Sequence, residues 1–202
     1  MGRSSGWAVR PWGSRLVAFL TSLLLSSGAA AEIRGNANLF LGAKMMSDQW
    51  QPAGQQFEIG ATVDFRSEQW PVSAAVALLY TKADESESTF GVKDEIFEYH
   101  FGVLKLWHDD DLRAKFRPFV GGGAVVAQAN VALSRIGLST VHDQDLGFGG
   151  WVGAGFYWNP YRSLNLGVDA RWSTASVQLM GQDFDAGGVH LGVTVGWRWM
   201  SF

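Results

Sequence analysis

The sequence predicts an all-β fold, an eight-stranded antiparallel up-and-down transmembrane β-barrel, on three observations. Apolar residues recur in steps of two through eight segments. The connections between those segments alternate between short and long. The polar faces of the segments hold mostly glycine, serine, asparagine and threonine, with one or two charges each, where a sheet facing water would carry lysine and glutamate. Small residues suit the crowded interior of an eight-stranded barrel, which is just wide enough for side chains to fill.

The first stretch reads as a targeting segment. Arg3, Arg10 and Arg15 form a basic region, Leu16 to Leu25 an apolar run, and Ala29-Ala30-Ala31 a small-residue cleavage site before Glu32. The apolar run is too short for a helix that crosses a bilayer, which needs roughly 20 residues. Residues 1–31 are therefore expected to be a cleaved signal peptide and 32–202 a single barrel domain. Without the signal, 171 residues remain, carrying 13 basic and 19 acidic side chains, a net charge of −6. That sign argues against nucleic acid as a partner. The absence of cysteine excludes disulfides, cysteine nucleophiles and cysteine metal sites.

The segments follow in order. In Arg34 to Met45, Ala37, Leu39, Leu41 and Ala43 oppose Asn36, Asn38, Gly42 and Lys44. In Phe57 to Arg66, Ile59, Ala61, Val63 and Phe65 oppose Glu58, Gly60, Thr62 and Asp64. Val72 to Thr81 is apolar on both faces, because Ala75, Ala77 and Leu79 fall on the second one. Ile96 to Trp107 sets Phe97, Tyr99, Phe101 and Val103 against Glu98, His100 and Gly102. Phe116 to Ala127 has no readable phase, since it opens on Arg117-Pro118 and runs through Gly121-Gly122-Gly123. Leu146 to Trp158 places Phe148, Val152, Ala154 and Phe156 opposite Trp151, Gly153, Gly155 and Tyr157. In the last two, Leu164, Leu166, Val168, Ala170 and Trp172 oppose Asn165, Asp169, Arg171 and Ser173, and Val189 to Trp199 opposes His190, Thr194 and Arg198.

Short connections, 66–70, 108–115 and 159–163, follow the even segments. Longer ones, 47–55, 82–93, 128–145 and 177–187, follow the odd segments. Short inner turns and long outer loops are the pattern of an outer-membrane barrel. Aromatic residues gather at both ends of the apolar face: Trp70, Trp107, Trp158, Tyr161, Trp197, Trp199 and Phe202 beside the short turns, and Phe57, Tyr80, Phe97 and Trp172 beside the long loops. Rings with an apolar body and a polar edge settle at the two membrane interfaces.

Three stretches carry a likeness to a known family: Arg117-Pro118-Phe119-Val120-Gly121-Gly122-Gly123, the run Leu164 to Trp172, and the closing Gly192 to Trp199. They resemble the small outer-membrane β-barrel superfamily that includes the barrels of outer membrane proteins A, X and W. The resemblance spans the mature chain and implies a fold and a membrane, with no activity attached. Phe202 departs from the family's terminal aromatic, being out of phase with Trp199 and Trp197. Either Trp199 takes the terminal place or a bulge resets the phase.

The candidate inward polar residues are Lys44, Glu58, Asp64, Arg66, Glu98, His100, Asp169, Arg171, His190 and Arg198. Unpaired buried charge is expensive, so they are expected to form a paired lumen network rather than line a pore. No catalytic residue, metal or cofactor is expected. Ser173 and His190 flank one outer loop that contains Asp183 and Asp185, but no motif marks them as a hydrolase. His100 and His190 lie on the fourth and eighth segments without a tight ligand spacing. The acidic run Asp84-Glu85-Ser86-Glu87 reads as a solvated loop. The expected role is structural or surface-directed, in the outer membrane of a Gram-negative bacterium. A narrow channel for small or hydrophobic solutes is the alternative, and a lipid A-modifying enzyme the second. Expected partners are membrane lipids, lipopolysaccharide and the outer-membrane insertion machinery, with the barrel a monomer.

Overall fold

The computed structural model describes residues 32–50, 54–87, 90–109, 111, 113–135, 141–179 and 181–201. The expected signal peptide (1–31) and Phe202 lie outside the described residues, as do the side chains of the acidic run 84–87. The strands are β1 (Ile33–Met45), β2 (Gln55–Ser67), β3 (Ser73–Glu87), β4 (Phe90–Leu106), β5 (Phe116–Arg135), β6 (Val141–Trp158), β7 (Leu164–Leu179), β8 (Gln182–Asp185) and β9 (Gly188–Ser201). A single 3₁₀ turn, Asp48–Trp50, follows β1. From β1 to β8 each strand pairs antiparallel with the next, while β9 pairs with β7 and, from Ile33↔Ser201 to Met45↔Val189, with β1, so the ring is closed.

β8 and β9 act as one strand. The register that pairs Ser173 with Gly188 continues unchanged to Ser176 with Asp185, and the ladder pauses at Ala186 and Gly187. Eight barrel strands therefore result, as the alternation predicts. Following paired residues round the ring from Gly35 leads through Phe65, Ala74, Val103, Gly122, Val152, Trp172 and Val189 to Met45, ten residues further along β1. That offset is the barrel's shear, and it tilts the strands and sets which inward residues meet.

The outward phase is apolar all round: Leu39, Ile59, Leu78, Phe101, Val152, Trp172 and Val193 all face away from the lumen and are exposed. No backbone group of the wall is left with an open edge, which is what a lipid solvent demands. An apolar exterior over a polar interior is the inverse of a soluble barrel, and the chain is a transmembrane β-barrel. Trp70, Trp107, Trp158, Tyr161 and Trp197 are exposed at the short-turn end, and Phe57 and Trp172 towards the other.

Where the sequence left both faces of β3 apolar, the structure turns Ala75, Ala77 and Leu79 inward. β5 turns Arg117, Phe119, Val125, Ala127 and Ala129 inward. Gly121 sits between them because a Cβ there would lie 2.2 Å from Leu104 Cδ2. β9 runs to Ser201 in constant register, so no bulge resets the phase before that residue.

The long connections differ from the expectation of loops. β3 and β4 remain paired to Glu87↔Phe90, and β5 and β6 to Leu133↔Val141. Beyond the membrane a hairpin still satisfies every backbone donor and acceptor, whatever side chains it carries. Loss of apolar alternation there marks the end of the lipid-facing wall rather than the end of the strand.

Candidate functional site

The lumen holds two polar clusters, separated on β1 by Phe40, which lies between Asn38 and Lys44 in the inward phase and is 1% exposed. Its ring rests over Gly42 and Gly192, where a Cβ would come within 2.8 and 2.6 Å of Phe40 Cζ.

The short-turn cluster is centred on Arg117, which is fully buried. Its Nε donates to Asn159 Oδ1 (2.8 Å), Nη1 to Asp109 Oδ1 (2.6 Å), and Nη2 to Asn165 Oδ1 (2.7 Å) and Asn36 Oδ1 (3.0 Å). Asp109 comes from the turn after β4, which folds back beneath the barrel. It also accepts from Arg66 Nε (2.9 Å), while its backbone oxygen accepts from Arg198. Burial works to raise the Asp109 pKa, but the Arg66 hydrogen bond and the Arg117 and Arg198 charges outweigh it and hold the carboxyl below the usual range. Asn36 Nδ2 donates to Asp64 Oδ1 (2.9 Å), and Asn165 Nδ2 bridges Asn36 and Asn38. At the waist, Arg171 makes a two-point contact with Asp169 (2.9 and 2.6 Å) and lies 5.2 Å from the centre of the Trp151 ring. A gap there, lined by Asp64, Trp151, Tyr157 and Arg171 among others, measures about 10 Å³, room for one water at most.

The long-loop cluster joins five strands, β1, β2, β4, β7 and β9. Lys44 donates to Glu98 Oε1 and to the Ala186 carbonyl (2.6 Å). Glu98 Oε2 also meets His100 Nε2 (2.8 Å) and accepts from Ser173 Oγ (3.0 Å). His190 Nε2 lies 2.9 Å from Ser173 Oγ, and its Nδ1 lies 2.9 and 3.0 Å from the two oxygens of Glu58. Lys44, Glu58, Glu98, His100, Ser173 and His190 are all at most 1% exposed. An apolar layer closes over them: Ile96, Val125, Ala129, Val177 and Leu179 from the wall, with Met46 and Trp50 from the segment after β1. Trp50 Nε1 donates to the Asp185 carbonyl (2.8 Å), and its ring packs against Phe184 of β8.

Glu58, Asp64, Glu98, His100, Asp169, Arg171, His190 and Arg198 thus all lie in the lumen, divided between the two clusters and the waist. Arg117, Asp109, Asn159 and the asparagines of β1 and β7 escaped the sequence reading. Arg117 precedes a proline in the strand without a phase, and Asp109 and Asn159 sit in turns. Asn36, Asn38 and Asn165 were visible as polar-face residues, and their uncharged side chains gave no reason to single them out.

Ser173, His190 and Glu58 touch in the order of a serine hydrolase triad, with Glu58 in place of the loop residues Asp183 and Asp185. Asp185 instead accepts from Thr174 Oγ1 and from the Ala175 and Gly187 backbone N–H groups. Acyl transfer needs a nucleophile that a substrate can reach and backbone donors aimed at a developing oxyanion. Ser173 Oγ is fully buried and turned to Glu98, and the neighbouring Ala175 N–H is already taken by Asp185.

No family model and no curated protein matches the chain. Among solved structures it is similar to a major outer membrane protein from Thermus thermophilus, at 8% identity over 85% of this chain and 100% of that one, with a TM-score of 0.56. It is also similar to Ail, the attachment invasion locus protein of Yersinia pestis, at 13% identity over 85% and 100% of the two chains, with a TM-score of 0.49. The outer membrane protein OprG from Pseudomonas aeruginosa matches at 12% identity over 84% and 96%, with a TM-score of 0.48. The likeness to the Thermus protein is one of fold. The fold is that of a small outer-membrane β-barrel.

Proposed function

We propose that the chain is a sealed barrel of the Gram-negative outer membrane, exported through a signal peptide over residues 1–31. It acts as a structural and surface-directed protein through its outer hairpins. The observation that supports this is the filled lumen: two buried polar clusters, a waist with room for one water, and an apolar cap of Met46, Trp50 and Phe184. Such a body favours neither solute passage nor catalysis. What faces outward is the pair of hairpins β3–β4 and β5–β6. Between the upper parts of β4, β5 and β6 lies an open cleft of about 470 Å³, lined by Glu95, Asn130, Ala132, His142 and Asp143 among others. Lipid meets the wall, lipopolysaccharide surrounds the hairpins, and insertion machinery delivers the monomer.

Planar-bilayer recording of the purified protein is expected to give no discrete conductance. Steady single-channel steps would overturn the sealed reading in favour of a channel. Removing 132–142 shortens the β5–β6 hairpin above the Val131 contact with the lumen cap. This variant is expected to keep the heat-modifiable gel migration of a folded barrel and to lose adherence of expressing cells to surfaces. Adherence equal to that of the full chain would sink the surface role.

A further inference from the structure

The long-loop cluster brings Lys44, Glu58, Glu98, His100 and His190 together, all buried. Glu98, His100 and His190 each turn one ligand atom to a common point, these atoms lying within 4.8 Å of one another. Glu98 Oε2 lies 2.8 Å from His100 Nε2 and 3.7 Å from His190 Nε2. Ser173 Oγ stands beside the same point, 2.9 Å from His190 Nε2 and 3.0 Å from Glu98 Oε2. Donor atoms of a tetrahedral zinc ion, each about 2.0–2.1 Å from the metal, stand about 3.3 Å apart.

We infer that Glu98, His100 and His190 form a buried divalent transition-metal site, with Ser173 Oγ or a water as the fourth ligand and zinc the fitting ion. The surroundings of His190 and Glu98 match what a metal-bound imidazole and carboxylate require. A ligating histidine nearly always donates its other ring N–H to a carboxylate, and His190 Nδ1 faces both oxygens of Glu58. The second oxygen of Glu98 is held by Lys44. His100 Nε2 faces Glu98, and its Nδ1 has no hydrogen-bond partner among the described residues. Two imidazoles and one carboxylate suit zinc, and also copper or nickel. The ion would join β4 to β9 across the lumen.

The full-length protein, folded in detergent and stripped with a chelator, is titrated with Co²⁺ and then with Zn²⁺. Expected are one Co²⁺ per chain with the intense visible bands of a tetrahedral site, their displacement by Zn²⁺, and a higher unfolding midpoint with Zn²⁺ bound. His100→Gln and His190→Gln should abolish all three. Glu58→Gln should weaken binding about 10–100-fold. Each variant is checked for heat-modifiable migration, and the wild-type spectrum stands if one variant fails to fold. Wild-type protein that stays folded and colourless with Co²⁺, or a spectrum unchanged in both histidine variants, would overturn the site.

Discussion

On the short-turn side of Phe40 the lumen is filled by arginine, asparagine and aspartate. On the long-loop side it holds one lysine, two glutamates and two histidines beneath an apolar cap. In the first region one carboxylate, Asp109, gathers Arg66, Arg117 and Arg198, and the Arg117 guanidinium donates to four partners. In the second, histidine replaces arginine as the nitrogen donor. Arginine stays charged and presents a rigid fork, so it fixes geometry permanently. Imidazole can hold a proton or a metal, or neither, so it leaves the state of the cluster open. One end of the barrel is built as a fixed plug and the other as a responsive one.

Three measurements can break or sharpen that contrast, beginning with the largest effect. Arg117→Ala removes the four guanidinium hydrogen bonds at the centre of the fixed plug and leaves Asp109 with two of its three arginines. It should cost about 3–5 kcal/mol in reversible unfolding from lipid vesicles, as for one partner removed from a buried pair. A loss below about 1 kcal/mol would place the plug among dispensable networks.

Acid gives the next largest response. The Asp109 carboxyl is held below its ordinary value of 3.8, so its contribution is complete above that value and disappears as pH falls through the lower folded-state value. Stability should fall on acidification below about pH 4, and the fall should be shallower in Asp109→Asn. Equal slopes in the two proteins would assign the acid response to other carboxyls.

Ser173→Ala, in the responsive plug, should be the mildest. Glu98 keeps Lys44 and His100, so the cost is that of one hydrogen bond to a carboxylate, about 1.5–3 kcal/mol. A cost equal to that of Arg117→Ala would erase the contrast.

The sequence carried more of the wall than of the interior. Alternation marked both faces of β1, β2, β4, β7 and β9, because lipid on one side and a packed lumen on the other demand unlike residues at every second position. Gly121-Gly122-Gly123 hid the phase of β5, since a residue without a side chain belongs to neither face, and Arg117 was hidden with it. Partners within the lumen were illegible for a different reason. Which inward residues meet depends on the shear of the ring, and His100 and His190, separated by ninety residues, come to a ring separation of 5.7 Å only once that offset is known. The upper hairpins were missed because backbone pairing outside the membrane leaves no mark on side-chain polarity.

The pause in the last strand at Ala186 and Gly187 bears on how the ring is completed. Lys44, on the first strand, reaches across the β1–β9 seam to the Ala186 carbonyl, two residues short of the start of β9. The two residues stand 142 positions apart in the chain. A contact of that sequence separation forms late, after the local hairpins have assembled. Lys44 is then a latch across the seam, tying the first strand to the segment that leads into the last.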